Sequence, residues 1–247
     1  MTSNVPAEGT LYLMPVWLGE HGGPEQLAPE NIAIASRIQL WYAENEKSAR
    51  HLLRRMVPTI DLRTLEIHRL DKDTTAQEAL SLLKLMHGRD AGIISEAGMP
   101  GIADPGALLV QAAHQARIPV VPLPGPSSLI LALAASGLNG QQFTFHGYLP
   151  VKPQERRQAV RRLEQEAMRT GAAQLFIETP YRNDALLAEL LGTCAPATSL
   201  TIAIDLMQPG GWTRTRTVAS WRHDPPVLGK RPAVFILGRP ANGRSAT

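Results

Sequence analysis

Short β-type runs alternate with helical patterns along the whole chain, and this alternation constrains the fold more than any other feature of the sequence. Apolar residues at i, i+3 and i+4 spacing predict the connecting helices 30–37, 48–56, 75–87 and 107–117. Helices that join consecutive strands are typical of a parallel sheet, so the first half predicts a parallel five-stranded α/β domain. Its predicted strands are residues 10–16, 38–43, 65–70, 91–95 and 119–123.

The second half predicts another α/β domain with a mixed five-stranded sheet. Thr and Arg alternate over residues 213–217, which indicates a half-exposed or edge strand, whereas the continuous apolar run 233–237 indicates a buried one. A Pro/Gly cluster at residues 123–126 separates the halves, so we expect one domain over residues 1–123 and another over 124–247. The predicted strands are residues 143–148, 174–178, 200–206, 213–218 and 233–237.

Composition and termini narrow the class of protein. The single cysteine, Cys194, leaves no intramolecular disulfide and no multi-cysteine metal site, which fits a reducing compartment. The first six residues lack the features of a secretory leader, and the longest apolar stretch, 129–135, is far shorter than the ~20 residues of a membrane span. We therefore expect a cytoplasmic protein without a metal and without membrane contact. A net charge of +3 permits a polyanionic partner but does not require one.

Ligands of open α/β sheets bind beyond the carboxyl ends of the strands, so the loops after the strands are the first candidates for a site. Residues 95–106 form a loop with three glycines, two prolines and the carboxylates of Glu96 and Asp104. Glycine lets the backbone come close to a ligand, and proline stiffens the path. The same loop predicts Asp104 as the N-cap of the next helix, with Pro105 at its first position.

Two further loops carry candidate residues. Ser127 or Ser128 is expected to cap the helix that Gly137 ends, and the amides of that helix start suit a carboxylate. At the end of the strand 174–178, Thr179 is a cap candidate, while Glu178, Tyr181 and Arg182 suit a pocket wall. The loops contain no dinucleotide-binding, Walker, Gly-x-Ser-x-Gly or His-Glu-x-x-His pattern, which disfavours dinucleotide, ATP, hydrolase and zinc sites.

Four motifs occur in order: GMPGIADPG at 98–106, IPVVPLPGPSS at 118–128, ASGL at 135–138 and FHGYLP at 145–150, with ERR at 155–157. They resemble the tetrapyrrole methylase superfamily, and within it the branch of ribosomal RNA small subunit methyltransferase I. The resemblance implies a homodimer and S-adenosylmethionine bound between two domains. The reaction it implies is methyl transfer to a ribose 2′-hydroxyl of small-subunit rRNA.

The resemblance also implies the positions that contact the cofactor, which lie in the loops described above and in the strand 200–206. These positions are Pro15, Glu96, Ala97, Gly98, Met99, Pro100, Gly101, Ile102, Asp104, Ser127, Ser128, Glu178, Thr179, Pro180, Tyr181 and Ala203.

The chain departs from the branch on the substrate side. It has MPVWLG at 14–19 in place of TPIGNL, ENEK at 44–47 in place of EDTR, Glu96 in place of Asp, and IDLMQ at 204–208 in place of RELTK. Three hypotheses are therefore open: an rRNA ribose methyltransferase, a methyltransferase for a different small molecule such as a tetrapyrrole, and a non-catalytic S-adenosylmethionine-binding protein.

Methyl transfer to a hydroxyl needs an aligned acceptor and a proton acceptor. The catalytic candidates are Glu44, Glu46, Lys47 and Asp205, all near the ends of predicted strands; Glu46 and Lys47 fit a solvated charge pair at a helix start equally well. Residues 152–169 carry six basic residues and three carboxylates. This stretch is either a phosphate-binding face that includes Arg157 and Arg161 or a solvated helix of mixed charge.

Overall fold

The computed structural model describes residues 9–239 and contains one five-stranded sheet in each half of the chain. The chain divides into a first unit that ends at Ser127 and a second unit that begins at Ser128. The α/β class is confirmed for both units. The sequence-based boundary between residues 123 and 124 stays a prediction.

The first unit is built from five strands and four helices. The strands are β1 Leu11–Met14, β2 Leu40–Ala43, β3 Glu66–Arg69, β4 Ala91–Ile94 and β5 Val120–Pro122. The helices are α1 Pro29–Arg37, α2 Glu46–Met56, α3 Ala76–Lys84 and α4 Ala107–Gln115. The strands are all parallel in the order β3-β2-β4-β1-β5, which confirms the predicted parallel sheet.

Helices cover both faces of this sheet. Ile34 of α1 and Leu53 of α2 pack on one face, whereas Leu83 of α3 and Leu109 of α4 pack on the other. Every residue of β2 and of β4 is buried, as expected for central parallel strands between two helical layers. The carboxyl ends of the strands are therefore left as the edge of the sheet from which polar side chains can emerge.

The second unit begins with a helix and ends with its central strand. Its helices are α5 Ser128–Ser136, α6 Pro153–Thr170, α7 Asn183–Thr193 and α8 Val218–His223. Its strands are β6 Phe143–Tyr148, β7 Ala173–Ile177, β8 Ser199–Ile204, β9 Trp212–Thr217 and β10 Ala233–Gly238. The order is β6-β7-β10-β8-β9; β6 and β7 are parallel and the other neighbours are antiparallel.

This topology confirms the predicted mixed sheet. It also confirms that the Thr/Arg strand β9 lies at an edge and that the fully buried β10 lies at the centre. The helices α6, α7 and α8 pack on one face of the sheet through Val160, Leu187 and Trp221, while Leu129 and Leu133 of α5 pack on the opposite face.

The starts of α4 and α2 and one capping bond differ from the sequence-based expectation. Asp104 and Pro105 do not open α4, because Gly106 takes φ +140°, which glycine alone adopts readily, and is itself the N-cap of a helix that begins at Ala107. Helix α2 begins at Glu46, two residues early, because the Asn45 side chain accepts the Ser48 N–H at 3.0 Å. Thr179 precedes the short 3-10 helix Pro180–Arg182 but makes no side-chain capping bond.

Within residues 9–239, no helix has the length and apolar character needed to cross a membrane. The same part of the chain contains no group of three or more His, Cys, Asp or Glu side chains that could hold a metal ion.

Candidate functional site

The loop after β4 is fixed to the segment after β1 by backbone hydrogen bonds. Val16 N–H donates to Gly98 O at 2.8 Å, and Gly98 N–H donates to Val16 O at 2.9 Å. Ser95 adds a hydroxyl bond to Gly98 O at 3.0 Å. The base of the loop is therefore held in place, next to the predicted cofactor residue Pro15.

The tip of this loop offers open backbone. Gly101 has φ +78°, and a Cβ at that position would meet no atom within 4 Å. Ile102 beside it is an exposed apolar side chain. A left-handed glycine beside open space lets a ligand approach the main chain closely, as the sequence predicts for this loop.

Three carboxylates meet at the carboxyl edge of the first sheet. Glu44 directly follows β2, Glu96 follows β4 after one residue, and Asp104 lies near the end of the loop; all three line a small cavity of about 10 Å³. Burial, with the negative charges of Glu44 and Glu96, raises the pKa of the Asp104 carboxyl to about 6. Asp104 therefore exchanges its proton close to neutral pH.

The remaining catalytic candidates of the first unit lie at the start of α2. Glu46 forms an ion pair with Arg50, one turn later, at 2.8 Å, and the pair is partly exposed. Lys47 is exposed. Ser48, which the sequence did not single out, donates its hydroxyl to Glu96. The start of α2 thus supports the acidic cluster through Ser48, while Glu46 is already paired with a cation.

In the second unit, Glu178 is a fully buried carboxylate at the end of β7. Its Oε1 accepts the N–H of Thr179 at 2.7 Å, and it accepts Nη2 and Nε of Arg182 at 2.7 and 3.0 Å. Its Oε2 has no hydrogen-bond partner within residues 9–239. Pro180 opens the short helix that follows, and Tyr181 is exposed with the Arg182 guanidinium over its ring at 5.3 Å. Glu178 therefore presents one free, buried acceptor atom.

Asp205 follows β8 in a left-handed conformation, with φ +46°. Its carboxylate accepts Arg231 Nε at 2.6 Å, and Arg231 also donates to Gly210 O at 2.9 Å. Ala203, two residues earlier, is buried in the apolar cluster beneath α5. Asp205 thus anchors a turn through an arginine that no sequence pattern had linked to it.

The predicted positions fall into two sets. The first unit brings Pro15, Glu44, residues 96–102, Asp104 and Ser127 into its strand-end loops, and the second unit contains Ser128, residues 178–181, Ala203 and Asp205. Sequence reasoning missed Ser48, Arg231 and the buried Asn183, whose side-chain N–H donates to Arg231 O at 2.7 Å. Their roles depend on partners between 21 and 48 residues away in the chain, for which local patterns carry no signal.

A family model for tetrapyrrole (corrin/porphyrin) methylases matches residues 21–219. This chain belongs to that family. The match includes the three carboxylates Glu44, Glu96 and Asp104 and the loop 95–106. It also includes the strand ends at Glu178 and Asp205 in the second unit. The resemblance seen in the sequence motifs is thereby confirmed.

Curated relatives of this chain carry the name ribosomal RNA small subunit methyltransferase I. The one from Xylella fastidiosa is 36% identical over 182 residues, which are 74% of this chain and 63% of that protein. The one from Micromonospora olivasterospora is 35% identical over 183 residues, which are 74% of this chain and 55% of that protein. The chain therefore matches less than two thirds of the length of either relative.

A solved structure of similar fold is that of the methyltransferase CobJ, with a TM-score of 0.61 and 19% sequence identity. The match covers 94% of this chain and 95% of that one. At this identity the similarity supports the two-sheet tetrapyrrole methylase fold and nothing finer.

Proposed function

We propose that this chain is an S-adenosylmethionine-dependent methyltransferase that modifies a ribose 2′-hydroxyl of small-subunit rRNA. The observation that carries the proposal is the 36% identity, over 74% of the chain, to a protein named ribosomal RNA small subunit methyltransferase I. The loop held by Val16 and Gly98 supports it, because it sits at the sheet edge where open α/β sheets bind ligands.

The residues at the strand ends fit the cofactor. S-adenosylmethionine, when bound, supplies an electrophilic methyl group on a positively charged sulfur. The carboxylates of Glu44, Glu96 and Asp104 match that positive charge, and the open main chain at Gly101 allows close approach. In the second unit, the unpartnered Oε2 of Glu178 is an acceptor suited to an N–H or O–H donor. The proposed contacts are the sixteen positions that the resemblance implies.

The ion pairs reduce the number of candidates for the proton acceptor. Glu46, Glu178 and Asp205 are each engaged in an ion pair with an arginine. Asp104 carries no such partner within the described residues, and its pKa of about 6 lets it take up a proton near neutral pH. We assign proton removal to Asp104, whose pKa is raised by burial and by the charges of Glu44 and Glu96.

The remaining parts of the proposal concern assembly and location. A homodimer is proposed from the family resemblance, and a cytoplasmic location follows from action on ribosomal subunits. The net charge of +3 is compatible with a nucleic-acid substrate.

The test is transfer of a labelled methyl group from S-adenosylmethionine to small ribosomal subunits isolated from a strain that lacks this gene. Label on one rRNA nucleotide, lost in Asp104→Asn, supports the proposal. Label on small molecules, with none on rRNA, would mean that the substrate is a small molecule and not rRNA. Tight cofactor binding with no acceptor in any cell fraction refutes an enzymatic role.

A further inference from the structure

The two units carry opposite net charges. Residues 1–127 contain 11 basic and 14 acidic side chains, for a net charge of −3, whereas residues 128–247 contain 14 basic and 8 acidic ones, for a net charge of +6. Such an asymmetry between halves is typical of a chain in which one part contacts a polyanion. The second unit is therefore where a surface for a polyanion is to be sought.

Helix α6 concentrates part of this charge on its outer face. Its buried residues Arg156, Ala159, Val160, Leu163 and Ala167 define the inner side. At ~100° per residue, the opposite sector, roughly 140° wide, contains four arginines and no carboxylate. These arginines are Arg157, Arg161, Arg162 and Arg169, all of them exposed.

The carboxylates that interleave with these arginines in sequence lie elsewhere in space. Glu164 accepts the Ala195 N–H at 2.7 Å and a bond from the Thr198 hydroxyl, so it is engaged with the turn before β8. Glu155 and Glu166, on the far flank of α6, pair with Lys152 at 3.1 Å and Arg169 at 2.6 Å. The sequence pattern of mixed charge thus resolves into a positive outer face with acidic flanks.

Two arginines of this face make no ion pair within residues 9–239. Arg157 shares Glu189 with the buried Arg156, and Arg169 is paired with Glu166, but Arg161 and Arg162 have no carboxylate partner. Unpaired arginines keep all their donors available, and the planar guanidinium binds phosphate in a bidentate manner. Arg161 and Arg162 are therefore the strongest candidates for an anionic ligand.

Three glutamines, at positions 154, 158 and 165, lie between the arginines in the same sector. Their amides are donors and acceptors suited to phosphate and ribose oxygens. Met168 is the one apolar side chain of the sector and is half-buried, so the face lacks the apolar anchors that a membrane-surface helix needs. This composition favours RNA over a lipid surface.

We propose that the outer face of α6 binds the sugar-phosphate backbone of the RNA substrate, with Arg161 and Arg162 as phosphate contacts. The inference rests on the proposed function for its choice of RNA. It adds a surface outside the strand-end loops, which holds the substrate without taking part in methyl transfer. Under this proposal, residues 152–169 form a phosphate-binding face and not merely a solvated helix of mixed charge.

The test compares wild type with Arg161→Gln/Arg162→Gln in binding to protein-free small-subunit rRNA across a salt series. The slope of log K against log salt should fall by about 2, because two phosphate contacts are removed, and affinity at low salt should drop roughly tenfold or more. The matched control is Lys72→Gln/Lys84→Gln, which removes the same charge from exposed positions of the first unit and should leave slope and affinity nearly unchanged. Thermal melting and calorimetric titration with S-adenosylmethionine should be the same for all three proteins.

Unchanged rRNA affinity in the folded α6 variant overturns the inference, as does an equal loss in the control. Wild-type protein that binds no rRNA but binds phosphatidylserine vesicles through the same arginines also overturns it. A third outcome separates the two proposals: rRNA binding shows the expected loss in the variant, yet the wild-type protein transfers no methyl group. This outcome supports the RNA-binding surface and contradicts the proposed activity.

Discussion

Asp104 makes the stability of this protein depend on pH in a direction that can be worked out. Its pKa rises from 3.8 to about 6 in the fold, mainly through burial, so the folded state binds the proton more tightly than the unfolded chain. The stabilising contribution of the protonated Asp104 is fully present below the pKa that the group has in the unfolded chain. It is lost as the pH rises through the pKa that the group has in the fold. The charged carboxylate therefore destabilises the fold at neutral pH.

The full shift corresponds to about 3 kcal/mol, but Asp104 is only partly buried and solvent screening reduces this to about 1 kcal/mol. Asp104→Asn keeps the shape and removes the charge, so it should raise the melting temperature by roughly 3 °C at pH ~8. The gain should shrink as pH falls from ~6 and vanish near pH ~4. Differential scanning calorimetry of both proteins across this range measures the difference.

Asp73→Asn is the matched control, because it removes the same charge from an exposed position of the same unit; the effect of Asp104→Asn is measured against it at each pH. A stability difference for Asp104→Asn that is constant with pH, or a loss of stability at pH ~8, would refute the argument that the charge of Asp104 is unfavourable in the fold.

The same substitution tests the proposed proton transfer. Asp104→Asn should slow methyl transfer by about 10²- to 10⁴-fold. The wild-type rate should increase with pH, with an apparent pKa near 6. Cofactor affinity, measured by calorimetric titration of the same variant, separates a loss of cofactor binding from a loss of proton transfer. A variant of full activity would remove Asp104 from the chemistry and leave Glu44 as the next candidate.

Three further predictions concern stability, each measured by urea unfolding. Arg156→Ala should cost about 3 kcal/mol because it leaves buried Glu189 without its main partner, and adding Glu189→Ala should recover part of the loss; no recovery would mean that packing, and not charge, dominates. Thr75→Ala should cost about 1 kcal/mol by removing the capping box of α3, whereas Gln77→Ala, at an exposed position of the same turn, should be nearly neutral. Gly106→Ala should cost about 1–3 kcal/mol, because φ +140° strains any residue with a Cβ; a neutral result would mean that the loop relaxes.

Hydrophobic periodicity predicted most strands and helices and the class of each sheet, but not the starts of α2 and α4. A continuous apolar run marked β10 as a buried strand, and the alternation of Thr and Arg marked β9 as an edge strand. These features are local, because burial on one or both faces leaves its period in the sequence itself. The motifs of the strand-end loops indicated the tetrapyrrole methylase family, which the family model confirms.

The roles of individual charges required the tertiary structure. The pKa of Asp104 depends on its burial and on the charge of Glu44, 60 residues earlier in the chain, and the pairing of Asp205 depends on Arg231, 26 residues later. Glu164 and Arg161 are three residues apart on one helix, yet one is bonded to the turn before β8 and the other has no ion-pair partner in the described chain. The strength of an electrostatic interaction depends on the distance between the charges in space and not on their separation in the sequence. Only the fold therefore decides which carboxylates are paired with a cation and which charges stay available.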